Sequence, residues 1–137
     1  MHRIFVVLFL SILLLGCAIK SADVSAELDK QFSLKANQTA SIDSEGLTIK
    51  FREISGDSRC PSDVVCVWAG EVTAKLELKK STNEAPIQLI LGAGADNRSE
   101  AEFDDYSIKL VSVDPYPKTT GSIQQSNYSV ILSVSKK

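Results

Sequence analysis

From Phe32 onward apolar and polar residues alternate with a period of two, the signature of strands that bury one face. Leu47, Ile49 and Phe51 fall on one side of such a run, with Thr48, Lys50 and Arg52 on the other. The longest run sets Val72, Ala74, Leu76 and Leu78 against Thr73, Lys75, Glu77 and Lys79. Tyr106, Ile108 and Leu110 repeat the pattern, as do Tyr128, Val130, Leu132 and Val134 near the end of the chain. Residues 87–91 are more continuously apolar and predict a central strand covered on both faces. Weaker strands at 32–36 and 39–42 bring the expected total to about seven.

Turn-forming residues separate these runs where a meander needs them. Ser44-Glu45-Gly46 and Ser81-Thr82-Asn83-Glu84 read as connections, and Gly92-Ala93-Gly94 opens a polar loop that continues to Asp105. Pro115 and Pro117 stop the strand that passes through Val113, because proline has no N–H for a ladder. No stretch carries the 3.6-residue period of an amphipathic helix. The expected fold is all-β: a single antiparallel β-sandwich or small barrel over residues 31–137.

The first 16 residues are of another kind. His2 and Arg3 precede an apolar run at 4–15, which is too short to span a bilayer as a helix and has the length of a signal peptide core. It ends in Leu14-Leu15-Gly16-Cys17, a lipobox in which the cysteine sulfur is acylated. Cleavage before Cys17 leaves 121 of the 137 residues and shifts the formal charge from −2 to −3. Residues 17–30 then read as a lipidated tether, and the multiple acyl chains of such a cysteine make a stable membrane anchor. The expected location is extracytoplasmic, on the periplasmic face of the outer membrane in a cell with two membranes.

Export changes the meaning of the cysteines. With Cys17 assigned to lipid, Cys60 and Cys66 remain as an even pair in a compartment where disulfides persist. Their spacing is not that of a redox C-x-x-C pair, and no histidine of the exported chain is available to complete a zinc site. A structural disulfide is expected.

These cysteines lie in residues 57–70, which read Asp-Ser-Arg-Cys-Pro-Ser-Asp-Val-Val-Cys-Val-Trp-Ala-Gly. The segment resembles the DSRCP…C-x-W-A-G signature of a family of small exported bacterial proteins, many of them lipoproteins. The likeness covers roughly residues 32–135 and includes Asp114-Pro115-Tyr116-Pro117 and the final Tyr-x-Val-x-Leu strand. It implies an exported single β domain and carries over no catalytic residue. Within the segment, Trp68 is large enough to plug one end of the sandwich. Asp57 can cap an Asx-turn or pair with Arg59. Arg59 and Asp63 are expected to be exposed, and with Trp68 and Tyr116 they form the candidate binding surface, since arginine and tryptophan are enriched among binding hot spots.

Charge and composition narrow the function. A mildly acidic chain offers no basic face for nucleic acid. The single histidine, His2, lies in the leader, so His-based catalysis has no residue to use. The carboxylates Asp96, Glu100, Glu102, Asp104 and Asp105 do not follow a calcium-loop pattern, and Gly92-Ala-Gly-Ala lacks the features of a phosphate loop. The sequence therefore points to a lipid-anchored interaction domain without cofactor, metal or catalytic residue. Its expected partners are the membrane, through Cys17, and an envelope protein or polysaccharide. The alternatives are an inhibitor that inserts its stiff loop into a secreted hydrolase, and a small hydrolase using carboxylates or a Ser–Lys pair.

Overall fold

The computed structural model describes residues 23–95 and 98–137. Cys17, the leader and Asp96 lie outside the described residues. Among the described residues nine strands form two sheets: β1 (Val24–Ser25), β2 (Gln31–Lys35), β3 (Thr39–Ile42), β4 (Leu47–Asp57), β5 (Glu71–Lys80), β6 (Asn83–Gly92), β7 (Glu100–Phe103), β8 (Tyr106–Asp114) and β9 (Ser129–Lys136). One sheet has the order β1-β3-β4-β5-β6 and the other β2-β9-β8-β7. The architecture is a β-sandwich, not a closed barrel, and no α-helix occurs among the described residues.

The alternation read from the sequence sets the core. Leu47, Ile49 and Phe51 of β4 and Val72, Ala74, Leu76 and Leu78 of β5 are buried against Ile108 and Leu110 of β8 and Val130, Leu132 and Val134 of β9. Their polar neighbours along each strand face outward, so a one-residue slip of register would bury charge. β4 accommodates two irregularities against β5, between Phe51 and Glu53 and between Ile54 and Gly56, which bend its upper half.

Three features depart from the sequence expectation. Two strands were not expected, and each falls in a segment read as irregular. β1 lies within the expected tether, where Val24 and Ser25 pair in parallel with Ala40 and Ser41 and Ala26 is buried. Backbone pairing there needs no apolar pattern, which is why alternation did not reveal it. β7 lies in the expected acidic loop, its Glu100 and Glu102 on the exposed side of a short edge strand. The third difference concerns residues 87–91: they belong to β6, an edge strand rather than a central one, and only Leu89 among them is fully covered.

The sandwich has two chemically distinct ends. At the end where β3 turns into β4, the Tyr106 hydroxyl donates to Glu45, Lys80 Nζ donates to that hydroxyl at 2.7 Å, and Lys136 Nζ donates to Glu45 at 3.2 Å. Lys80 also sits 4.4 Å from the centre of the Tyr106 ring. The opposite end carries residues 58–70.

An edge position for β6 has a direct consequence. Leu89→Ala should cost about 2–5 kcal/mol, as for other buried leucines, whereas the partly exposed Ile90→Ala should cost about 1 kcal/mol or less. Urea unfolding of the two variants checks this, and equal losses would contradict it.

Candidate functional site

The site is the tip of the β4–β5 hairpin. Beyond the strands the ladder continues, with Ser58 N–H donating to the Glu71 carbonyl at 2.8 Å and Cys60 N–H to the Ala69 carbonyl at 2.9 Å. The Cys60–Cys66 disulfide, with Cα atoms 5.9 Å apart, then closes the tip. Gly70 makes this approach possible: its φ is +70°, and a Cβ there would lie 1.8 Å from the Ser58 carbonyl oxygen.

Beneath the tip sits a buried ion pair. Asp57 Oδ1 accepts from Arg59 Nε at 2.8 Å and from the Arg59 backbone N–H at 3.2 Å, while Oδ2 accepts from Arg59 Nη2 at 2.6 Å and from the Tyr128 hydroxyl at 2.9 Å. The guanidinium reaches across the sandwich end, donating to the carbonyls of Val113 at 2.7 Å and Pro115 at 3.0 Å. These carbonyls flank Asp114, whose peptide bond to Pro115 is cis. The Tyr116 ring lies 5.1 Å from the guanidinium carbon, and its hydroxyl donates to the Cys60 carbonyl at 3.0 Å. One arginine thus joins the hairpin to the end of β8.

Burial opposes both charges, and the hydrogen bonds outweigh it. Asp57 would be raised by desolvation, but donation from Arg59 and Tyr128 and the guanidinium charge hold its carboxyl below the ordinary range. Arg59 would be lowered by burial, but Asp57 raises it, so the pair is ionised. Desolvation first, and donation to Asp57 second, push the Tyr128 phenol up to about 12, so it remains a donor.

A second segment backs the tip. Ser62 N–H donates to the Pro117 carbonyl at 3.0 Å and Asp63 N–H to the Lys118 carbonyl at 3.3 Å. The Gln125 amide bonds both polar atoms of the Ile54 backbone, at 2.6 and 3.0 Å, completing the irregular stretch of β4.

The structure redistributes the residues that the sequence nominated. The Cys60–Cys66 disulfide forms, and Asp63 is exposed beside it. Tyr116 joins the tip, half-exposed. Arg59 was expected at the surface and is buried, because two carbonyls and a carboxylate surround its guanidinium. Trp68 was expected as a buried plug and is 65% exposed. Val64, Val65 and Val67, which the sequence reading passed over, are exposed with it, Val65 and Val67 completely. Their signal was in the sequence: Val64 and Val65 lie inside a short disulfide loop and Val67 directly after it, where there is no strand face on which to hide.

Comparison with known proteins finds no matching family model, curated protein or solved structure. The geometry alone defines the site.

Other surfaces offer less chemistry. A groove of about 980 Å³ is lined by Lys35, Arg52, Glu53, Lys75, Glu77 and Gln88. Four of its five charges are engaged in pairs, Lys75–Glu53 at 3.0 Å and Arg52–Glu77 at 3.3 Å. The carboxylates near β7 are likewise engaged, Glu102 with Lys137 at 3.0 Å and Asp104 with Asn83 at 3.2 Å. Among the described residues no group of three or more His, Cys, Asp or Glu side chains is placed to hold a metal ion.

Two outcomes follow. Arg59→Ala, which leaves Asp57 buried without its partner, should destabilise by about 3–5 kcal/mol. Trp68→Ala should change stability by about 0.5 kcal/mol or less, as for exposed positions; thermal and urea unfolding measure both, and a reversed order would refute the assignment. The pair also sets the acid limit. Since Asp57 titrates lower when folded, its contribution is complete above its unfolded value of about 4 and disappears as pH falls through the folded value. Asp57→Asn should therefore lower stability at neutral pH and reduce its loss on acidification, as read by urea titrations across that window.

Proposed function

We propose that the chain is a lipid-anchored, extracytoplasmic binding domain of the bacterial envelope, that the stapled β4–β5 tip is its contact surface, and that it performs no catalysis. The observation that carries this reading is the exposure of Val65, Val67 and Trp68 on a hairpin held by a disulfide and a buried ion pair. Large apolar groups projecting together from a soluble domain mark an interaction site. Rigidity beneath them reduces the ordering cost of binding. The Leu14-Leu15-Gly16-Cys17 lipobox and the resemblance of residues 57–70 to an exported family support the location.

The nature of the tip refines the partner. Valines suit an apolar counterpart better than a polysaccharide, which presents hydroxyls that need polar partners. The contact residues become Val65, Val67, Trp68 and Tyr116, with Asp63 at the rim, while Arg59 acts as their support. A hydrolytic role has less to rest on, because Glu102 is paired with Lys137, Asp104 bonds Asn83 and Glu100 bonds the Ser107 hydroxyl.

Photocrosslinking in the native envelope tests the reading. A probe replacing Val65 should give a discrete adduct with an envelope component, protein or lipid, that a probe at Lys79 on the outer face of β5 does not. Identical patterns from the two positions would remove the tip as the contact surface.

A further inference from the structure

The anchored reading acquires a direction from strand topology. β1 runs parallel to β3, with Val24 level with Ala40, and Ala40 is level with Ile49 of β4. β4 then runs from Ile49 toward Asp57 and the tip, opposite to the direction of β1. The N-terminal end of β1 therefore faces the end of the sandwich that carries the tip.

The distances agree. Ile49 and Asp57 pair with Leu78 and Val72, so the base of the tip lies six β5 residues above the level of Val24, about 20 Å at strand spacing. Cys17 precedes Val24 by seven residues, which reach about 25 Å when fully extended. Seven residues are therefore long enough for a lipid on Cys17 and the tip to reach the same bilayer surface.

The same end has the composition of a group that enters a bilayer interface. In residues 60–70 and 115–127 only Asp63 and Lys118 are charged, whereas the outer faces of β4 and β5 carry Lys50, Arg52, Glu53, Lys75, Glu77 and Lys79. Tryptophan favours the headgroup level of membranes, where its ring is partly desolvated and its N–H can still donate. A tip with a handful of exposed apolar side chains is also too small for a stable dimer interface, which takes 20–30 residues a side.

We propose that the β4–β5 tip inserts Val65, Val67 and Trp68 into the interfacial layer of the membrane that holds the lipid on Cys17, so that the domain is fixed at two points. This rests on the anchored reading above. The near-neutral tip makes insertion a matter of apolar burial, independent of anionic lipid.

Trp68 is the only tryptophan of the chain, so its fluorescence reads the tip directly. The full processed chain, carrying its native modification, is reconstituted into phosphatidylcholine vesicles. Trp68 emission should be blue-shifted, quenched by lipids brominated near the headgroup end of their chains, and several-fold protected from aqueous acrylamide. The V65S/V67S variant keeps the probe and alters only exposed positions; its lipid quenching should fall several-fold while its melting temperature stays unchanged. Vesicle-bound chain with emission as in water and full access to acrylamide would overturn insertion and leave the anchor standing. If the chain isolated from cells carries no lipid on Cys17 and stays out of the vesicle fraction, both readings are overturned. Protection of Trp68 in native envelopes but not in vesicles would assign the tip to a protein partner and also overturn insertion.

Discussion

The Asp57–Arg59 pair governs the end of the domain that matters. Taking two charges out of water costs several kcal/mol for each ion, and mutual attraction offsets this only when the remaining polar atoms are satisfied. Here they are: both carboxylate oxygens accept from Arg59, one accepts also from Tyr128, and the guanidinium donates to Val113 and Pro115. The groups come from three parts of the chain: Asp57 and Arg59, Val113 and Pro115, and Tyr128. The pair therefore forms in full only when β4, the end of β8 and the start of β9 have met. An apolar substitute of the same size would tolerate several arrangements of these segments, whereas a bidentate ion pair tolerates few.

The disulfide acts above this foundation and does a different job. Closing so short a loop contributes about 2 kcal/mol on the chain-entropy argument, less than the loss expected on breaking the ion pair. The backbone bonds at Ser58 and Cys60 already define the hairpin. What the staple adds is local: it closes Val64 and Val65 into a short loop, with Val67 at its exit. An unstapled run of this composition would also present β-prone backbone to other chains. Confinement keeps an apolar surface displayed and separate.

Strand alternation made the sandwich legible in the sequence, because burial on one face leaves a period of two in the residues themselves. It could not reveal β1, whose two residues contribute backbone pairing at an edge. Nor did apolar content locate β6: Ile87, Ile90 and Leu91 form an apolar run on an edge strand, where only Leu89 is fully covered. At the site, the disulfide and the Asp57–Arg59 pair followed from local spacing. The exchange of places between Arg59 and Trp68 did not. It depends on the Val113 and Pro115 carbonyls, more than 50 residues away, which supply the hydrogen bonds that make a buried guanidinium affordable.

That exchange explains the shape of the surface. A domain end sealed by Trp68 would have buried its largest apolar residue and left Arg59 in solvent, giving an ordinary charged loop. With the polar network beneath, the base of the end is hydrogen-bonded by charged and phenolic groups, and the apolar side chains stand above it in solvent. Val65, Val67 and Trp68 are then exposed as a consequence of the packing below them, not for lack of packing. Exposed apolar area has an unfavourable hydration free energy of about 25 cal/mol per Å², and the fold gains nothing from it. Only contact with something outside the domain would recover it, and β1, running away from the tip, starts on the side that faces it.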